Sequence, residues 1–177
     1  ESLANTNNLE NWQLPKEKFK EFPISHKTLR GLADTKYIRL TPIQRATLPH
    51  SLAGRDIMGS SKTGSGKTLC FLIPLLELLY RERWSKDDGL CAMVILPTRE
   101  LAIQVFEVLN KIGKYHNFSV GMVIGGNNLK KEQEALYLMN ILIGTPGRLL
   151  QHMTETPLFS VDNLKMFLML LFFELLC

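Results

Sequence analysis

Short unbroken apolar runs alternate along this chain with longer stretches whose apolar residues have helical spacing. The runs with the length of buried strands are residues 91–96, 119–124 and 140–143. The stretches with helical spacing are residues 69–79, 99–114 and 129–139, and Thr98 stands at the N-cap position of the second. Strands that alternate with helices form parallel β-α-β units, so the pattern predicts an α/β protein with a parallel doubly wound sheet.

Two more helices are predicted near the start of the chain from their capping residues. Ser25 stands at the N-cap position of an amphipathic helix over residues 24–32, which ends near Gly31. Thr41 and Pro42 have the residue types that occupy the N-cap and the first helical position. Residues 55–59 are a short apolar run, which we predict as a further buried strand.

A glycine-rich segment, here called the phosphate loop, lies between that strand and the apolar helix after it. It consists of Ser61, Lys62, Thr63, Gly64, Ser65, Gly66, Lys67 and Thr68. Gly64 and Gly66 can adopt positive φ and turn backbone N–H groups toward a phosphate, and the helix start adds its dipole. Lys67 would reach the β- and γ-phosphates, and Thr68 would ligate Mg²⁺. The loop therefore predicts a triphosphate site, the alternative being a chance surface turn of glycine and serine.

Composition narrows the class of protein further. The length of 177 residues suits one domain. The net charge of +4 and the pI of about 9.0 permit a polyanionic partner. Cys70, Cys91 and Cys177 lack metal or disulfide spacing, which favours the cytoplasm or nucleus. The polar start shows no secretory signal. The apolar residues 166–177 fall short of the about 20 needed to span a membrane.

Five motifs in one order resemble the first RecA-like domain of the DEAD-box RNA helicases. They are Thr41-Pro42-Ile43-Gln44, the phosphate loop, Pro97-Thr98-Arg99-Glu100-Leu101-Ala102, Gly125-Gly126 and Thr145-Pro146-Gly147-Arg148. The resemblance covers about residues 19–166, an incomplete ATP-binding domain that follows a flexible lead-in over residues 1–18. It implies a RecA-like P-loop NTPase fold, with ATP and Mg²⁺ as cofactors and RNA as partner. Lys67 and Thr68 would be the catalytic residues in this domain.

The resemblance also implies roles around the nucleotide base. Gln44 would pair with the adenine edge and select ATP, and Phe19, 25 positions upstream, would stack on the base. The alternative for Phe19 is a core aromatic, and Phe22 is close enough to take its place. Lys36 and Leu40 stand where family members usually have glycine and proline, so this part of the motif is degenerate.

The remaining motifs match those that grip RNA in this family. The residues concerned are Pro97, Thr98, Arg99, Gly125, Gly126, Thr145, Pro146, Gly147 and Arg148. They offer helix N-termini, glycine N–H groups, hydroxyls and guanidinium groups, which bind phosphate and ribose without reading bases. Taken singly, the two arginines are more typical of surface ion pairs and the glycine pair of a plain turn. Taken together, they predict sequence-independent RNA binding.

Weaker similarities bear on the cellular role. Residues 22–25 and 29–32 resemble the family members that act in ribosome biogenesis. That subfamily implies a nuclear or nucleolar location and pre-ribosomal proteins as partners of the intact parent. We expect a monomer without a membrane partner.

The resemblance stops after Met166. Family members continue with an apolar strand and the Asp-Glu-Ala-Asp tetrad, which holds Mg²⁺ and orients the attacking water, whereas residues 167–177 form a divergent apolar tail with Glu174 as their acidic residue. We expect this polypeptide to bind ATP and RNA, to hydrolyse ATP feebly at best, and not to unwind RNA. Two alternatives are a non-catalytic module that regulates full-length helicases and another P-loop ATPase such as a DNA helicase.

The tail has several possible origins and structures. An alternative exon or a shifted reading frame would produce the abrupt change, and a membrane anchor is disfavoured by length. Residues 161–170 can still supply one strand. Residues 171–177 would then leave an exposed apolar patch.

Overall fold

The computed structural model describes residues 16–170 and 174–176, with side chains up to residue 170. The strands are β1 (Met58–Ser60), β2 (Ala92–Ile95), β3 (Val120–Val123), β4 (Ile141–Gly144), β5 (Met166–Leu170) and β6 (Glu174–Leu176). The helices are α1 (His26–Asp34), α2 (Pro42–Ser51), α3 (Lys67–Arg81), α4 (Arg99–Ile112), α5 (Leu129–Leu136) and α6 (Pro146–Glu155). Short 3-10 turns lie at Phe19–Glu21 and Lys86–Asp88. The predicted helices, and the predicted strands other than the one over residues 55–59, are thus confirmed, with ends that differ by a few residues.

The strands form one sheet in the order β1-β6-β5-β2-β4-β3. Strand β2 lies between β5 and β4 and is parallel to both, and β3 is parallel to β4. This confirms the parallel α/β sheet and the central place of the run over residues 91–96. One strand was not predicted: β6 turns back antiparallel to β5 and also pairs antiparallel with β1.

The prediction that residues 55–59 form a buried strand is wrong. Strand β1 is short, and the side chain of Met58 is 76% exposed. Within the described residues β1 pairs only with β6, so it forms an edge of the sheet and lacks the cover that a central strand receives. The predicted apolar patch over residues 171–177 concerns side chains outside the described part of the chain.

The apolar helix α3 forms the centre of the hydrophobic core. Ten of its fifteen residues are buried, including Leu72, Ile73 and Leu75, because the helix is covered by its neighbours on most sides. Helix α1 packs so closely on α4 that an ideal Cβ on Gly31 would lie 1.9 Å from the carbonyl oxygen of Ile112. Only glycine fits this contact.

A buried carboxylate fastens α1 to α3. Glu77, 2% exposed, accepts hydrogen bonds from the backbone N–H of Ser25 (2.9 Å), the Ser25 hydroxyl (2.8 Å) and the Thr28 hydroxyl (2.6 Å). Ser25 also caps α1, as predicted, by accepting from the N–H of Thr28. A carboxylate that is removed from water needs such donors. The predicted N-cap therefore has a second role, which is to satisfy Glu77.

A histidine extends this cluster. The Nε2 atom of His116 lies 2.9 Å from the Thr28 hydroxyl, whose proton is donated to Glu77, so Nε2 is the protonated nitrogen. The Nδ1 atom is buried without a partner among the described residues. Burial, with a smaller contribution from the charge of Lys27, lowers the pKa of His116 from 6.5 to about 4.

The first described residues pair with the segment between α1 and α2. The main chains of Lys18 and Arg39 form a β-bridge, and the N–H of Leu40 donates to the carbonyl of Glu17 at 2.9 Å. Three residues of the predicted lead-in, 16–18, are described, and Glu17 and Lys18 among them are bonded to this segment, while the rest of the lead-in lies outside the described residues. No helix found in residues 16–170 has the length and apolarity to cross a membrane.

Candidate nucleotide and RNA sites

The loops that carry the predicted motifs leave one edge of the sheet. Strands β1, β2, β3 and β4 end at Ser60, Ile95, Val123 and Gly144 and run directly into those motifs. Because β1 and β5 are both antiparallel to β6, β1 runs in the same direction as the other four strands. Ligand sites in open α/β sheets lie outside such carboxyl ends. Two cavities there bring together residues of several predicted motifs.

The first cavity lies over the phosphate loop, and two glycines shape it. Gly64 has φ +76° and Gly66 has φ +92°, the left-handed conformation that was predicted. A Cβ on Gly64 would meet no atom within 4 Å, whereas one on Gly66 would lie 2.5 Å from the Nε2 of Gln44. Gly66 is also the N-cap of α3, so the helix N-terminus opens at this loop.

The phosphate loop folds back on its own lysine. The Lys67 amino group donates to the carbonyls of Ser61 and Lys62, the second at 3.0 Å. The hydroxyls of Ser61 and Ser65 are 2.6 Å apart. The lysine charge is therefore solvated by backbone oxygens, and a bound phosphate would replace them.

This phosphate-loop cavity has a volume of about 500 Å³. Besides the loop it is lined by Gln44 and by Leu101, Gln104 and Val108 of α4. The hydroxyl oxygen of Thr41, another lining residue, is buried and has no partner among the described residues. Its size, the helix N-terminus, the lysine and the unpaired hydroxyl fit a nucleoside triphosphate. Thr68 also lines the cavity, and its role as a Mg²⁺ ligand stays a prediction.

Gln44 braces the loop. Its side chain is 2% exposed, its Oε1 accepts from the N–H of Thr41 at 2.9 Å, and its Nε2 donates to the carbonyl of Gly66 at 3.0 Å. Adenine recognition by Gln44 stays a prediction, and it would require these internal bonds to be exchanged. The bracing role was missed, although the Thr41-x-x-Gln44 spacing of a capping box indicated the first bond.

Of three aromatic residues that are candidates for contact with a base, two are buried and one is accessible. Phe19 and Phe22 are 3% and 6% exposed and belong to the hydrophobic core. Phe19 also lines a cavity of about 270 Å³ together with Tyr37, and Tyr37 lines the phosphate-loop cavity as well. Stacking of Phe19 on adenine stays a prediction. Tyr37, 40% exposed, is an aromatic residue at this cavity that the sequence reasoning missed.

Lys36, which stands where family members usually have glycine, has a backbone conformation typical of glycine. Lys36 has φ +62°, a conformation in which glycine is unstrained and a side chain costs free energy. This position therefore keeps the left-handed backbone that glycine would adopt freely.

The second cavity, here called the α4–α6 pocket, has a volume of about 560 Å³. It is lined by Pro97, Thr98, Arg99, Glu100, Gly125, Thr145, Gly147, Arg148 and Gln151. Most of the residues predicted to bind RNA thus come together from three separate motifs. Pro146 and Gly126 are not part of this lining. Glu100 and Gln151 were not predicted.

The N-termini of two helices open onto this pocket. Thr98 caps α4, since its hydroxyl accepts from the N–H of Leu101 at 3.2 Å, as predicted. Thr145 is the N-cap residue of α6 but its side chain makes no capping bond. Unpaired N–H groups and helix dipoles at both termini favour an anion.

The two arginines of the pocket differ in their surroundings. Arg99 is exposed, and its guanidinium lies against Gly125 and Gly126, where Cβ atoms would come within 2.8 Å and 3.1 Å of it. Gly126 lies beside the pocket in this way. The Arg148 side chain is 9% exposed and donates to Glu132 (2.8 Å), Gln151 (2.9 Å) and the carbonyl of Asn127 (2.7 Å).

Glu132 connects α5 to α6. Its Oε2 accepts from the Nε of Arg148 and lies 2.8 Å from the Nε2 of His152, which is fully buried. Burial alone would raise the pKa of Glu132, but the hydrogen bonds from His152 and Arg148 lower it below its ordinary value. Neither Glu132 nor His152 was predicted, because nothing in their sequence spacing shows that they meet.

Comparisons with known proteins agree with this architecture. The model of the DEAD/DEAH box helicase family matches residues 41–169. The probable ATP-dependent RNA helicase ddx10 of Dictyostelium discoideum is 60% identical over 147 residues, which are 83% of this chain and 17% of that protein. The ATP-dependent RNA helicase dbp4 of Aspergillus niger is 59% identical over 150 residues, 85% of this chain and 19% of that protein.

A solved structure gives the same result for the fold. The crystal structure of a DEAD box protein from the hyperthermophile Methanococcus jannaschii superposes with a TM-score of 0.78 at 31% identity, and covers 88% of this chain and 42% of that one. The chain spans about a fifth of the length of the curated relatives it matches. The predicted RecA-like fold and family are confirmed: the chain belongs to the DEAD/DEAH box helicase family.

Proposed function

We propose that this chain is the ATP-binding and RNA-binding half of a DEAD-box ATP-dependent RNA helicase. One observation carries the proposal: helix α4 lines both cavities. Its first residue, Arg99, lies at the α4–α6 pocket, while Leu101 and Gln104 line the phosphate-loop cavity. A single rigid element therefore stands between the two ligands, which is a physical means of coupling their binding.

The nucleotide would bind over the phosphate loop. Lys67 would release the carbonyls of Ser61 and Lys62 and contact the β- and γ-phosphates, and the N-terminus of α3 would add N–H donors. Thr68 would hold Mg²⁺, which when bound neutralises charge on the phosphates. Gln44 and Phe19 remain our candidates for the base.

Single-stranded RNA would lie across the α4–α6 pocket. The pocket offers two helix N-termini, the hydroxyl of Thr145 and the guanidinium groups of Arg99 and Arg148. These groups suit phosphate and ribose rather than base edges, so binding would not depend on sequence.

The activity of the intact parent is also a proposal. We infer ATP-dependent RNA remodelling in ribosome biogenesis, in the nucleus or nucleolus with pre-ribosomal partners, from the resemblance of residues 22–25 and 29–32 to that subfamily. The 177-residue chain has no Asp-Glu-Ala-Asp tetrad after Met166. The proposal for these residues is therefore limited to binding of both ligands, which a non-catalytic regulatory module would also show.

Equilibrium binding and strand displacement test this proposal. A fluorescent ATP analogue and a labelled uridine 10-mer should each bind the purified chain saturably, and a short labelled duplex should stay annealed in the presence of ATP. Failure to bind either ligand would overturn the proposed binding function. Displacement at the rate of an intact family member would contradict the predicted lack of unwinding.

A further inference from the structure

A polar network joins α5 to α6 beside the α4–α6 pocket, which Arg148 of that network lines. Glu132 belongs to α5, the helix that follows the glycine pair, and Arg148 and His152 belong to α6. One carboxylate oxygen, Oε2, lies 2.8 Å from both the Arg148 Nε and the His152 Nε2. The other ring nitrogen of His152 lies 2.8 Å from the Thr156 hydroxyl, so the imidazole is held from both sides.

The donors of Arg148 show what this network leaves available. A guanidinium has five N–H donors in a fixed plane. Glu132, Gln151 and the carbonyl of Asn127 each take one, on the Nε, Nη1 and Nη2 atoms respectively. One donor remains on each terminal nitrogen, and Arg148 lines the pocket. The three internal bonds therefore fix the plane in which the last two donors are presented.

The negative charge of Glu132 by itself opposes RNA binding. A carboxylate near a phosphate-binding pocket repels the ligand, and this one remains ionised because its hydrogen bonds lower its pKa. Removing the charge without disturbing the geometry would strengthen RNA binding. A contribution through geometry has the opposite sign, so the two roles can be distinguished by experiment.

We propose that Glu132 is a positioning residue for RNA binding. It orients the guanidinium of Arg148 and, with His152, fastens the helix after Gly125-Gly126 to the helix that begins at Thr145-Pro146. The inference rests on the proposed function, since it assigns a role within the proposed RNA site.

The test compares Glu132→Gln with a matched control on the same helix, Glu134→Gln. Both variants remove one negative charge, but Glu134 is exposed whereas Glu132 is held in the network. Glu132→Gln replaces the charge-assisted bond to Arg148 by a weaker neutral one and so loosens the guanidinium, and with a labelled uridine 10-mer we expect it to weaken binding by up to about tenfold. The control should bind equally well or slightly better.

The salt dependence of binding gives a second readout that a merely structural role would not change. If Arg148 is presented to a phosphate, its misalignment removes one contact, and the slope of log K against log salt should fall by about 0.7 for a single strand. Thermal unfolding of Glu132→Gln, which keeps the side-chain shape, shows whether the variant is folded at the assay temperature. Should it be unfolded, Glu132→Asp, which keeps the charge but shortens the reach to Arg148, is measured in the same way with the same expectations.

The outcomes separate the inference from the function on which it rests. Failure of the unaltered chain to bind the 10-mer overturns the RNA-binding proposal and this inference with it. Binding by the unaltered chain, together with equal affinities and slopes for the Glu132 and Glu134 variants, overturns the positioning role alone. Weaker binding with an unchanged slope also overturns it, because the loss then does not pass through a phosphate contact.

Discussion

The two cavities at the carboxyl edge of the sheet are prepared differently for their ligands. In the phosphate-loop cavity, the side chains of Lys67 and Gln44 donate hydrogen bonds to carbonyl groups of the loop itself. In the α4–α6 pocket, Arg99 is exposed and Arg148 is held by a carboxylate from another helix. The first site must therefore exchange internal bonds when it binds, whereas the second presents groups that are already oriented. We expect nucleotide binding to reorganise its loop more than RNA binding reorganises its pocket.

The largest expected effect breaks the first site and spares the second. Lys67→Ala should weaken binding of an ATP analogue by at least about 30-fold, because hydrogen bonds to charged groups are worth about 1.5–3 kcal/mol each. RNA affinity without nucleotide should stay within about twofold, since Lys67 does not line the α4–α6 pocket. Titrations of a fluorescent analogue and of labelled RNA measure both. A comparable loss of RNA affinity would show that the two sites are not separate.

A second variant tests the brace between Gln44 and the loop. Gly66→Ala would place a Cβ at φ +92° and 2.5 Å from the Gln44 Nε2, so we expect a loss of about 1–3 kcal/mol in the free energy of unfolding. Gly147→Ala is the control, because a Cβ there meets nothing within 4 Å and alanine is the better helix former. Urea denaturation compares the two. Equal midpoints would show that the loop relaxes without strain.

The hydrogen-bonded cluster of His116, Thr28 and Glu77 gives a prediction for how the free energy of unfolding depends on pH. The folded-state pKa of about 4 lies below the ordinary 6.5, so the unfolded chain binds the proton first as pH falls. The contribution of neutral His116 to the free energy of unfolding is fully present above about pH 6.5. It is lost as the pH falls from 6.5 to 4, and it amounts to about 1 kcal/mol after allowance for solvent screening. His116→Gln, which keeps a donor toward Thr28, should lose less stability over this range. Parallel urea curves for both chains at every pH would contradict this.

The smallest expected effect concerns the exposed arginine of the second site. Arg99→Ala should lower RNA affinity a few-fold and reduce the salt slope by about 0.7, since one phosphate contact is lost. Lys111→Ala removes the same charge from the other end of α4 and is the matched control. Fluorescence anisotropy at several salt concentrations measures the slopes. A slope for Arg99→Ala that equals the control would place Arg99 outside the RNA contact.

The residues that were predicted well are those whose partners are close in sequence. The caps at Ser25 and Thr98 and the positive φ of Gly64 and Gly66 follow from local conformational preferences. The buried strand β2 follows from its unbroken apolar run, which only a central strand can accommodate. Motif order was enough to indicate that distant loops meet at one edge.

The features that were missed depend on contacts between distant residues. Ile57 and Met58 are apolar, but β1 lies at a sheet edge, where burial depends on the neighbouring strand rather than on composition. Glu132 and His152 are 20 positions apart on different helices, and their pairing follows only from how α5 and α6 lie against each other. Strand β6 was unpredicted because its pairing with β1 spans most of the chain.

Hydrogen–deuterium exchange with each ligand tests the central claim most directly, namely that one domain holds two separate sites with α4 between them. An ATP analogue should protect peptides of residues 61–68 and around Gln44. A uridine 10-mer should protect peptides that contain residues 97–99, 125–126 and 145–148, and leave the phosphate loop unchanged. Protection of the same peptides by both ligands, or protection by RNA outside the α4–α6 pocket, would contradict the account.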